Sequence, residues 1–85
     1  MSEKDERKRI EVEIHKRKYT IVGKESRERL ELVASLVNEK MSEIHESNKH
    51  LDTTKLAVLT AVNTMNDYLK LKEEYDELIT LIEEE

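Results

Sequence analysis

Residues 51–85 read LDTTKLAVLTAVNTMNDYLKLKEEYDELITLIEEE, with no glycine and no proline, so nothing in the stretch breaks a helix. With Val58 as position a of a heptad, the a and d positions are Val58, Ala61, Met65, Tyr68, Lys72, Tyr75, Ile79 and Ile82. All but Lys72 are apolar or aromatic, the seam of a coiled coil held for about four heptads. Such a helix is roughly 50 Å long at 1.5 Å per residue. A rod of that length cannot hide its stripe against the small remainder of the chain. The first expectation is therefore an assembly module in which a second copy or another protein covers Val58, Met65, Tyr68, Tyr75, Ile79 and Ile82.

The rest of the composition points the same way. A chain of 85 residues makes one small domain with a marginal core, usually helped by a disulfide, a metal or oligomerisation. There is no cysteine, which removes disulfides and cysteine-based zinc sites and leaves oligomerisation. No apolar run reaches the length of a membrane span, and MSEKDERKR lacks the apolar core of a signal peptide, so the expected setting is cytoplasmic, with no membrane partner. The net charge of −5 and the scarcity of aromatic residues disfavour nucleic acid, which needs massed cations or stacking platforms.

In chain order, residues 1–9 are nearly all charged or polar and are expected to be a disordered lead-in. A head over residues 10–66 follows, then a stalk over 67–85. Ile10, Val12 and Ile14 alternate with polar residues, and Tyr19 and Ile21 repeat the pattern, which predicts a β-hairpin over about 10–15 and 18–22. Its turn holds neither glycine nor asparagine, so a tight two-residue type I′ turn is disfavoured and a looser one expected. After Gly23 a helix is predicted over about 26–48, with Ser26 as N-cap and Leu30, Val33, Val37, Met41 and Ile44 on one face. Leu32 and Leu36 widen that face into a broad buried arc. Asp52 is the N-cap expected for the long helix, with Leu51 and Leu56 placed as a hydrophobic staple. Its first half should be covered by the first helix and the hairpin on one side and by a partner helix on the other. The fold class is α+β: hairpin and helix as a small head, and a long C-terminal helix as an oligomeric coiled coil.

Chemistry-bearing motifs are sparse. His45 and His50 are five residues apart, and neither belongs to a metal-binding helix motif, so no metal or other cofactor is expected. A hairpin and two helices offer little concave volume for catalysis, and no catalytic residues are assigned. Lys72 on the seam either sets register or lets its ammonium reach Glu73 or Asp76 of a neighbour. Asn63, beside the apolar collar, is expected to be a structural polar residue tying the long helix to a turn or to another subunit. Lys16, Arg17 and Lys18 make a basic hairpin tip, and Lys40, His45 and Lys49 add positive character towards the end of the first helix. In an acidic protein such patches suit an acidic partner.

The order of IEVEIHKRKYTIV, ERLELVASLVNEKMSEI and LDTTKLAVLTAVNTMNDYL resembles the ZapA family of bacterial division-ring-associated proteins, in the short form of Gram-positive rods. The resemblance covers about residues 9–70. Lys55 to Leu59 and Ala61 to Asn63 carry most of it, supported by Val33, Ala34, Val37 and Asn38. Family members often have glycine in the hairpin turn, where this chain has Lys16. The resemblance implies a non-enzymatic regulator of cell division that binds FtsZ, the tubulin-like GTPase of the division ring, and bundles its filaments at the mid-cell septum. It also implies a homodimer, in some members a homotetramer, and a contact with FtsZ through Arg17, His45 and Lys49. The competing expectation is a coiled-coil adaptor or small regulator that binds one partner through its stalk.

Overall fold

The structure, a computed structural model, describes residues 7–84. Strands β1 (Lys8–Ile14) and β2 (Arg17–Gly23) are followed by helices α1 (Arg27–Ser47) and α2 (Thr53–Glu83). The part of the charged lead-in over residues 1–6 lies outside the described residues. Lys8 and Arg9, assigned to that lead-in, belong to β1.

The two strands form an antiparallel ribbon with Ile10 opposite Ile21, Val12 opposite Tyr19 and Ile14 opposite Arg17. Directly opposed residues share a face, so the alternation seen in the sequence places these six side chains on one side. Glu11, Glu13, Lys18 and Thr20 take the other, where Glu13 stands opposite Lys18. The expected loose turn is not what forms. Only His15 and Lys16 separate the strands, with φ of 54° and 66°, the left-handed pair of a type I′ turn. Neither residue is glycine, so the conformation is strained and needs outside support. Asn38 of α1 supplies it: its Oδ1 accepts the His15 N–H at 2.7 Å and its Nδ2 donates to the Glu13 carbonyl at 2.8 Å.

Both helices start as their sequences dictate. Ser26 accepts from the Arg29 N–H at 3.1 Å, and Asp52 from the Lys55 N–H at 2.8 Å. Helix α1 is the hub. Leu30 and Ala34 close over Ile10 and Val12, with Ile14 and Ile21 at the margin. Further along, Met41 is buried on α1, and Leu56 and Thr60 are buried on α2, which packs against it. Leu56 is fully buried. The Thr60 hydroxyl donates to the Leu56 carbonyl at 2.8 Å, so this buried polar group is satisfied.

Two expectations about burial are corrected. Leu32 and Leu36 are exposed in the protomer, the latter 54%. At about 100° per residue they lie far round the helix from Leu30 and Ala34, and one ribbon covers only one side. The hairpin also packs on α1 alone and does not cover the first half of α2. The result is flat and extended: 51 × 50 × 17 Å, with a radius of gyration of 17.3 Å, against about 12 Å for a compact chain of this length.

Candidate functional site

The uncovered side of α2 is the dominant surface feature. Its 31 residues span about 46 Å. Along them Val58, Met65, Tyr68, Tyr75 and Ile82 are all more than half exposed, and Ile79 is partly covered. Leu71, Leu78 and Leu81 are exposed as well. Lys72 interrupts the stripe, its Nζ 3.3 Å from the Asp76 carboxylate of the same chain. At the head the stripe runs into an open groove of about 480 Å³ between the hairpin, α1 and α2, where Tyr19, Met41, Ala61, Met65 and Tyr68 are among the lining residues. The expectation of little concave volume missed this groove because it arises from the hairpin failing to reach α2. The lining is overwhelmingly apolar, and the Thr60 hydroxyl within it is already committed to a backbone carbonyl. Such a surface suits another polypeptide better than a small polar substrate.

The basic residues divide into separate places. Arg17 opens β2 and stands on the helix-facing side of the ribbon, opposite Ile14. His45 meets the hairpin through His15, the two rings edge-on with centroids 6.5 Å apart. Both Arg17 and His45 are exposed. Lys49 lies beyond the end of α1, in the loop before α2, lining a shallow depression with Asn48, His50 and Lys55. The turn thus brings Arg17, His15 and His45 to one end of the head. Among the described residues no group of three metal-ligating side chains comes together.

Lys40 is not part of a free basic patch. Its Nζ is 2.6 Å from the Asp67 carboxylate of α2, bracing the two helices. The hydrogen bond from Lys40 holds the Asp67 carboxyl below the usual carboxylate range, and the same bond raises the Lys40 ammonium above the usual lysine range. A depressed acid adds stability above its unfolded pKa and loses it as pH falls through the folded value; a raised base loses it as pH rises through its own. Wild type and Asp67→Asn should therefore differ by a constant amount around neutral pH. The difference should vanish below the usual carboxylate range and shrink again above the usual lysine range, as measured by urea unfolding across pH at fixed protomer concentration. A gap that persisted at the acid extreme would assign the effect to packing.

Asn63 does not tie α2 to a turn. It is exposed, and among the described residues its amide reaches only the Leu59 carbonyl one helical turn back, at 3.5 Å. A tie between helix and turn comes instead from Asn38 of α1, to which the sequence reading assigned no contact. The pairing of a polar residue in the middle of α1 with a turn that lacks glycine is the signal that could have located it.

This arrangement defines a class: a small α+β head on a projecting amphipathic rod, with its apolar stripe uncovered. No helix among the described residues is long and apolar enough to cross a membrane. The family model for cell division protein ZapA matches residues 10–85. A cell division protein ZapA from Oceanobacillus iheyensis is 66% identical over 79 residues, which cover 93% of this chain and 91% of that protein. Another from Geobacillus sp. WCH70 is 54% identical over 77 residues, 91% of this chain and 88% of that protein. The chain belongs to the ZapA family. A solved ZapA mutant dimer from Geobacillus stearothermophilus superposes with a TM-score of 0.74 at 44% identity, covering 98% of this chain and 96% of that one.

Proposed function

We propose that the chain is a non-enzymatic regulator of cell division that self-associates, binds FtsZ and crosslinks its filaments in the cytoplasm at the mid-cell septum. Family membership supports the setting. The observation that carries the mechanism is the uncovered seam of α2 and its continuation into the groove of the head. A second copy is the natural occupant. Its own α2 presents the same stripe, and two such stripes bury one another about a twofold axis. Asn63, exposed and bonded at 3.5 Å to the Leu59 carbonyl, stands off this seam and is available for polar contacts with a further subunit. The flanking Leu71 and Leu78 make the stripe wider than a two-stranded seam requires, which favours further pairing of dimers into tetramers.

Symmetry then turns a weak contact into a crosslink. Each copy offers Arg17 and His45 at one end of the head and Lys49 in the loop before α2, so the assembly offers these basic contacts at least twice. A filament repeats its subunits, and two linked sites gain from effective concentration. Sites on opposite sides of the assembly hold two filaments side by side, and no bond-making chemistry is involved. Arg17→Glu and Lys49→Glu are each expected to leave the sedimenting mass unchanged and to lower co-pelleting with FtsZ filaments about tenfold, as expected when a charge faces a like charge across an interface. Normal co-pelleting of both would place the contact elsewhere. Light scattering from FtsZ filaments distinguishes crosslinking, which raises it, from binding of a single partner by the stalk, which does not.

A further inference from the structure

Asn38 grips the hairpin turn from both sides, as acceptor for the His15 N–H and donor to the Glu13 carbonyl, across 23 and 25 residues of sequence. The turn that it grips has two non-glycine residues in the left-handed region. A His-Lys pair left to itself favours other turns, so these two bonds tip the balance towards the observed one. The choice has a consequence beyond the turn. Arg17 is the next residue, and a slip of one residue in the register of a hairpin sends every side chain of the shifted strand to the opposite face. Arg17 would then leave the side facing the helices, and His15 would lose its place beside His45.

We propose that Asn38 is a positioning residue for the partner contact: it selects the turn that holds Arg17 and the His15–His45 pair as one fixed basic surface for an acidic protein partner. This inference rests on the reading that Arg17 and His45 touch the FtsZ filament. A fixed surface binds better because the observed affinity is the intrinsic affinity multiplied by the fraction of molecules already in the competent form. Loss of two ordinary hydrogen bonds lowers that fraction by about tenfold.

The test is a double-mutant cycle between Asn38→Ala and Lys16→Gly in the full chain, read by co-pelleting with FtsZ filaments and by hydrogen exchange at the His15 amide. Glycine adopts positive φ freely, so Lys16→Gly makes the turn less dependent on Asn38. Asn38→Ala is expected to keep the sedimenting mass, speed exchange at His15 and weaken co-pelleting about tenfold. In the Lys16→Gly background the same substitution is expected to cost only about two- to threefold, whatever Lys16→Gly does by itself. An equal loss in both backgrounds would mean that Asn38 touches the partner directly and would overturn the proposal. So would Asn38→Ala co-pelleting like wild type while Arg17→Glu fails, an outcome that leaves the contact itself standing. Loss of assembly in Asn38→Ala would show that the bonds hold the whole head together, against a positioning role. If Arg17→Glu binds normally, the contact reading fails, and this inference with it.

Discussion

Replacing Ile79 and Ile82 together with glutamate should weaken self-association by on the order of a hundredfold and reduce FtsZ bundling in proportion. Burial of each isoleucine is worth about 1.5–3 kcal/mol, and at a twofold interface each substitution counts twice. The gross loss is discounted here by about half, because both residues lie in the last two turns of α2. There Glu83 and Glu84 oppose the helix dipole and the last turn holds no cation, so the end is expected to fray. That leaves about 3–6 kcal/mol, and the lower end, ~3 kcal/mol, already corresponds to about two decades in the association constant. Sedimentation velocity across a concentration series reads the first effect and light scattering from FtsZ filaments the second. The two should fall together. Bundling that survives in a dissociated variant would refute the avidity mechanism, since a single site cannot join two filaments.

Leu56→Ala should be the most damaging single truncation in the head. Leu56 is fully buried and lies one turn into α2, where that helix meets α1. Comparable leucine truncations cost about 2–5 kcal/mol, part from lost transfer free energy and part from the cavity left behind. In a domain of this size about 3 kcal/mol lowers Tm by at least 10 °C. The comparison must be made at fixed protomer concentration, because association stabilises the folded chain by mass action. Leu36→Ala is the matched control: Leu36 is 54% exposed in the protomer, so its effect on the dissociated chain should be small. A Leu56→Ala variant melting within a few degrees of wild type would show that the junction of α1 and α2 adds little to the head.

The contrast between these two leucines shows how much of the molecule could be read in advance. Element order, both N-caps and the seam of α2 follow from local rules: period two in β1, the Ser26 and Asp52 caps, and heptad spacing from Val58 onward. Burial on α1 did not follow, because periodicity gives the angular position of a side chain but not which neighbour arrives to cover it. Leu32 and Leu36 looked like core and are surface in the protomer, whereas Ala34, too small to stand out in a hydropathy pattern, lies under the hairpin. The turn was misjudged for a related reason. His15 and Lys16 are poor type I′ residues by local preference, and a side chain more than twenty positions away overrides that preference. The candidate contact was legible as a set of basic residues, but the split between Lys40, locked to Asp67, and the exposed Arg17 and His45 needed the tertiary structure.

The bare stripe of α2 also bears on how a single copy would behave in solution. On its own the protomer carries its adhesive side in the open, the kind of surface that invites unspecific sticking. A paired copy conceals it. If the proposed function holds, a stray single would occupy a filament without joining it to another, so the pairing that hides the stripe is the same event that makes a crosslink available.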